Sequence, residues 1–274
     1  MLRTRIITAI VLIIGFLTAL FLASAQVWAI LTLAITLIGV WEWSNLIKLN
    51  QTQMLCHLAI ASSLGLLITF ASKTPLAPFQ NQLVLILLGG ATLFWVAIAP
   101  VWLITRKTCS NRLVMGGLGL LLLLATWVGL TGLHGISPWL LLAIIATVSI
   151  ADSAAYFAGK RFGRHKLAPE ISPGKTWEGV AGAMLAVSLY GAVLCYYQHY
   201  SLWLMVGLWL VVVLSIMGDL FESLLKRQAG LKDSGQLLPG HGGVLDRIDG
   251  LIPTLAVTLF CIYLPLFARF PVHA

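Results

Sequence analysis

About nine stretches of some 18 or more apolar residues, nearly free of charge, run through this 274-residue chain. A helix rises 1.5 Å per residue, so about 20 apolar residues cross the hydrocarbon of a bilayer. In that solvent a single segment satisfies its own backbone N–H and C=O groups only as a helix. The stretches lie at roughly 6–23, 27–47, 54–71, 82–104, 113–133, 138–158, 177–199, 201–223 and 250–269. A mean hydropathy of +0.97 excludes an ordinary soluble domain. The expectation is an all-α integral membrane protein with about nine transmembrane helices.

The basic residues orient it. With the N-terminus in the cytoplasm, 17 Lys and Arg residues all fall inside except Lys73 and Arg269. That is the positive-inside pattern, and it places the C-terminus in the periplasm. The net charge of +8 is then a matter of topology and of facing anionic headgroups, and no nucleic-acid partner is implied. Ala23-Ser24-Ala25 also fits a cleavable signal peptide, but cleavage would leave the other spans oriented as before. Cys56, Cys109, Cys195 and Cys261 have no metal-site or disulfide spacing and read as packing residues.

Polar character divides the chain. Residues 1–134 hold spans 1–5 and read as a scaffold and dimerisation region. Residues 135–274 hold spans 6–9 with cytoplasmic loops at 159–176 and 224–249, and read as the catalytic region. Of nine carboxylates, only Glu42 lies outside the stretch from Asp152 to Asp249. Ionisable groups near bilayer depth are costly and point to function. Glu42, between Trp41 and Trp43, reads as an interfacial acid in an aromatic belt, or else as part of a polar cavity. His57, His134, His165, His199 and His273 sit near span ends and read as interfacial. Gly89-Gly90 and Gly116-Gly117 with Gly119 read as points of close helix approach.

Three constellations carry chemistry. Asp219, Glu222, Ser223 and Lys226 fall at i, i+3, i+4 and i+7, which is one helix face. That face is either a salt-bridged surface or a seat for a hard, oxygen-seeking cation. Asp246-Arg247-Ile248-Asp249 repeats the spacing behind Gly240-His241-Gly242-Gly243, where glycines permit an anion-binding nest of N–H groups. The alternative is a plain turn capped by aspartates. Ser172-Pro173-Gly174-Lys175-Thr176 imitates the end of a P-loop, but Pro169 stands where the first glycine is needed and no strand is expected before it. It is read as a loop, either making a phosphate contact at a helix start or ending in Thr176 as an N-cap. Asp152 and Tyr156 share a face of span 6.

The arrangement Ser223-x-x-Lys226-Arg227-x4-Lys232-Asp233-x-Gly235-x2-Leu238-Pro239-x-His241-Gly242-Gly243-x-Leu245-Asp246-Arg247-Ile248-Asp249 resembles the signature of the phosphatidate cytidylyltransferases, or CDP-diacylglycerol synthases. Asp152-x-x-Ala155-Tyr156-x-x-Gly159 and the run from Ser172 to Gly179 are similar to motifs of that family. The resemblance covers residues 149–250. It implies transfer of CMP from CTP to phosphatidic acid, releasing pyrophosphate, in a bacterial inner membrane. It also implies a homodimer, membrane lipids as surroundings and magnesium as cofactor, as one ion or a pair. Asp219, Glu222, Asp246 and Asp249 are the expected metal ligands, and Asp219, Asp246, Asp249, Lys226 and Arg247 the expected catalytic groups. Ser172, Lys175, Thr176, Ser223, Arg227, Lys232, His241, Gly242 and Gly243 are expected to bind substrate. Asp152, Tyr156, Glu178 and Asp233 are further candidates. A CTP- or ATP-dependent lipid or polyprenol kinase is the competing enzyme. An ion transporter is disfavoured because the two halves carry no matching broken helices.

Overall fold

The computed structural model describes residues 2–71, 74–198, 201–235, 237 and 242–264, with side chains described for Val11 and from Ile13 onward. The long helices are α1 (Leu2–Leu22), α2 (Ala25–Leu46), α3 (Gln51–Phe70), α4 (Ala77–Thr105), α5 (Arg112–Ile136), α6 (Pro138–Phe162), α7 (Trp177–Gln198) and α8 (Trp203–Ala229). A short α9 (Leu245–Ile248) then leads into α10 (Leu251–Tyr263). Seven of the described helices, α2 to α8, are long and apolar enough to cross a membrane, and the protein is an all-α integral membrane protein. Each expected apolar stretch contains a helix, and the ninth is described only as far as Leu264.

Side-chain caps set several boundaries. Ser24 accepts a bond from the Val27 N–H and so splits α1 from α2. Asn50 and Gln53 form a reciprocal capping box at the start of α3. Ser137 followed by Pro138 breaks α5 from α6. Within α4 a π-helical turn at Phe94–Ile98 precedes Pro100, whose missing N–H removes one rung of the ladder.

Helix α5 sits at the centre, packed by α2, α4 and α10. One hydrophobic core joins Trp28 and Trp43 of α2, Trp95 of α4, Trp127 of α5, Phe221 of α8 and Leu255 of α10. The two stretches divided at residue 134 therefore share that core. Gly119 lets α2 lie close to α5, because a Cβ there would collide with the Trp43 indole. The indole N–H instead donates to the Met115 carbonyl at 2.9 Å. Phe94, Trp95 and Trp102 pack edge-on around Phe221 at 5.2, 5.5 and 5.6 Å. Such pairs add to burial and fix orientation. They lock α8 in rotation between Asp219 and Glu222. A smaller cluster of Ala151, Ala183, Val187, Leu208 and Val212 joins α6, α7 and α8.

Three local expectations are corrected. Residues 166–176 are not a plain loop but an antiparallel hairpin, β1 (Lys166–Ala168) and β2 (Ser172–Thr176), with Lys166 opposite Thr176. Its backbone pairing satisfies groups that a loop would leave to water. His57 and His134 are buried rather than interfacial. His57 lies between Ser44 at 2.7 Å and the Gly116 carbonyl at 2.9 Å, and His134 stacks on Trp28 with its Nε2 2.9 Å from the Leu20 carbonyl. Glu42 is not an interfacial acid, being 0% exposed.

Candidate active site

The site gathers at the end of the bundle where α8 stops, β2 begins α7, and α9 enters α10. Helix α8 delivers its predicted face as a unit. Ser223 Oγ donates to Asp219 Oδ1 at 3.2 Å, and Lys226 Nζ donates to Glu222 Oε2 at 3.1 Å, both one turn apart. Gly230 in the left-handed region then closes the helix.

Lys226 bridges two elements. Its Nζ also lies 2.5 Å from Asp246 Oδ1, tying α8 to α9. Asp246 Oδ2 accepts from the Ser234 N–H at 2.9 Å, the Ser234 hydroxyl at 3.0 Å and the Gly243 N–H at 2.9 Å. Gly242 makes this turn with φ +83°, which disfavours any side chain. The N–H of Gly243 thus meets the chain's own Asp246. Burial raises the Asp246 carboxyl, but Lys226 and the Gly243 and Ser234 N–H groups outweigh it and hold the group below its usual range.

Asp249 closes the site. Its Oδ1 accepts from the Gly250 N–H at 2.7 Å, and its carboxyl stands beside that of Glu222. Burial, with Asp219 nearby, pushes Asp249 up to about 7. Glu222 is 4% exposed, and its Oε1 is buried without a donor. A buried oxygen in that state calls for a proton, a water or a cation. Ser215 Oγ, one turn before Asp219, is buried beside the Asp152 carboxyl.

The hairpin brings the other lysine. Lys175 on β2 reaches Asp219 Oδ2 at 2.5 Å. Thr176 is buried, and its hydroxyl accepts from the Gly179 N–H at 3.1 Å, so it caps α7. Asp152 faces Asp219 and Lys175 from α6. Tyr156 is exposed, with Lys160 over its ring at 5.7 Å, and Glu178 holds His165 at 2.7 Å. Ser172 is half-buried on β2, while Arg227, Lys232, Asp233 and Arg247 are exposed around the site. His241 lies outside the described residues. Sequence reasoning left Glu42 out of the site, giving a polar cavity only as its second reading, yet its carboxyl oxygens take the N–H groups of Val244 and Leu245 at 2.9 and 2.8 Å. Its signal was available, as the one acid of an apolar half.

Two substitutions check this geometry. Gly218 is where α8 meets the start of α10, and a Cβ there would collide with the Asp249 carbonyl oxygen and the Pro253 ring. Gly218→Ala is expected to destabilise by about 1–3 kcal/mol and to lower turnover, because backbone at Asp249 must move. Thermal unfolding in detergent and initial rates would check both. Lys48→Ala, at an exposed residue outside the site, should stay within about 0.5 kcal/mol of the parent and keep its rate.

Fold and site together define a helical integral membrane protein with an intramolecular carboxylate–lysine centre at one end of its bundle. The chain belongs to the cytidylyltransferase family, whose model matches residues 3–266. It is 39% identical to the phosphatidate cytidylyltransferase of Pseudomonas aeruginosa over 95% of this chain and 97% of that one. It is 34% identical to the enzyme of that name from Haemophilus influenzae, over 95% and 97% of the two chains. For the Staphylococcus saprophyticus protein of the same name the figures are 31%, 94% and 98%.

Proposed function

We propose that this chain is a phosphatidate cytidylyltransferase, joining CMP from CTP to phosphatidate to give CDP-diacylglycerol and pyrophosphate for phospholipid synthesis. One observation carries the reading. Acids and lysines suited to a polyphosphate and its metal gather at one end of the bundle, in a chain whose relatives of that name match over nearly their full length. We further assign nine spans, a cytoplasmic N-terminus and site, a periplasmic C-terminus, a bacterial inner-membrane location and a homodimer. The distribution of Lys and Arg supports the orientation.

A phosphatidate phosphate oxygen attacks the α-phosphorus of CTP in line. The bond from that phosphorus to the bridging oxygen breaks, and pyrophosphate leaves with the electron pair. The phosphate nucleophile is already anionic near neutral pH, so no general base is required. The protein's work is positioning and charge neutralisation. Lys175 and Lys226, now paired with Asp219 and Asp246, stand where they can exchange a carboxylate for a phosphate oxygen. Exposed Lys232, Arg227 and Arg247 add positive charge around the mouth.

The donor set fits magnesium. Asp219, Glu222 and Asp249 offer hard oxygens, and Glu222 Oε1 is buried without a donor. Among the described residues no three acids, imidazoles or thiols form a ready-made cage. Magnesium suits such a site, since it takes one or two carboxylates and completes its shell with water and substrate phosphates. When bound it would supply charge neutralisation at the phosphate oxygens.

CTP labelled at either the α- or the γ-phosphate separates the reading from a kinase. Label from the α position should enter lipid and label from the γ position should not. Lipid labelled from the γ position would make the chain a kinase.

A further inference from the structure

We propose that Glu42 is a positioning residue for cytidylyl transfer, holding Ser234 and the Val244–Leu245 turn in register so that Asp246 and Asp249 meet Lys226 and Glu222. This rests on the activity proposed above and adds a part of the site supplied by the other half of the chain.

Glu42 is wholly buried near the cytoplasm-facing end assigned to α2. Its Oε1 accepts from the Val244 N–H at 2.9 Å. Its Oε2 accepts from the Leu245 N–H at 2.8 Å and from the Ser234 hydroxyl at 3.2 Å. Those contacts span 192 to 203 residues of sequence. Ser234 is the joint, because its hydroxyl also lies 3.0 Å from Asp246 Oδ2 and its N–H donates there. A chain of contacts thus runs from Glu42 through Ser234 and the start of α9 to Asp246, and on to Lys226 and Glu222. The glycines beside it fit the same purpose. A Cβ on Gly235 or Gly243 would collide with the Glu42 carboxyl group, so the loop backbone lies directly against it.

The support behind Glu42 is firm. The next residue, Trp43, is bonded to the Met115 carbonyl, and Ser44 meets His57, which contacts the Gly116 carbonyl. Helix α2 is therefore fixed to the central α5 beside the point where Glu42 leaves it. The two oxygens of a carboxylate offer acceptors only, which suits three converging donors. A glutamine of the same size would turn a donor toward one of them.

The test compares wild type, Glu42→Gln, Ser234→Ala and the double variant as full-length detergent-purified protein. Glu42→Gln is expected to lower kcat about a hundredfold, the cost of roughly an ångström of misplacement. Its KM for CTP should move less than about threefold, since binding groups are kept. The double variant should lose little more than the worse single one, because both act through Asp246. Hydrogen exchange should quicken at residues 243–249 while α2 and α5 stay protected. Wild-type kcat in Glu42→Gln, or unchanged exchange at 243–249, would overturn the proposal. Protection lost throughout α2 and α5 would also overturn it, making Glu42 a general stabiliser of the fold. A wild-type chain forming no CDP-diacylglycerol sinks the activity reading instead, and is told apart because exchange at 243–249 still responds to Glu42→Gln.

Discussion

Asp249→Asn is expected to cut turnover about a hundred- to a thousandfold, while leaving the helical bundle intact. The scale is that of removing one preorganised group that stabilises charge in a transition state. The fold should survive because the bond from the Gly250 N–H to Oδ1 needs only an oxygen, which an amide retains. The substitution also removes one of two facing buried carboxyls, which relieves rather than strains the apo protein. What it takes away is negative charge beside Glu222 and Asp219, where a cation and the phosphates it carries would sit. Initial rates and thermal unfolding on the same preparation check both halves. Asp246→Asn should differ, losing turnover and stability together, since Lys226 and three further donors converge on that carboxylate. Full activity in Asp249→Asn would remove Asp249 from the chemistry.

Lys226→Met should be the most damaging change to stability. Lys226 is 13% exposed and is the cation shared by Glu222 and Asp246, whose side chains are 4% and 8% exposed. Methionine fills much of the same volume but strands both acids. Breaking a buried pair from one side costs about 3–5 kcal/mol, because the remaining charge has lost water and partner alike. The fall in unfolding midpoint should shrink in Lys226→Met/Asp246→Asn, where one stranded charge is gone. A midpoint unchanged in Lys226→Met would mean that the bridge is loose and solvated.

The legible parts of this site were the local ones. Helical spacing alone brought Asp219 to Ser223 and Glu222 to Lys226, and both contacts formed. Apolar length and capping residues located the helices, as at Ser24 and Asn50. The hairpin at 166–176 was not legible, because Lys-Leu-Ala and Ser-Pro-Gly-Lys-Thr have little strand propensity and their pairing is held in place by α7 and by Lys175 on Asp219. The burial of His57 and His134 depends on carbonyls freed for them on other helices, which no periodicity reports. Glu42 is the instructive case, because the polar-cavity reading stood second to the interfacial one. The same cost of burying an acid that singled out Asp219 applied to it, yet its partners lie some two hundred residues away, and only packing could supply them.

Pyrophosphate release by the detergent-purified chain, given phosphatidate, CTP and magnesium, decides the proposed activity. A phosphatidate cytidylyltransferase gives release that needs both substrates, stops on chelation, and matches the CDP-diacylglycerol formed. ATP in place of CTP, or diacylglycerol in place of phosphatidate, should give none. No release from folded wild-type protein, or release without phosphatidate, would contradict it.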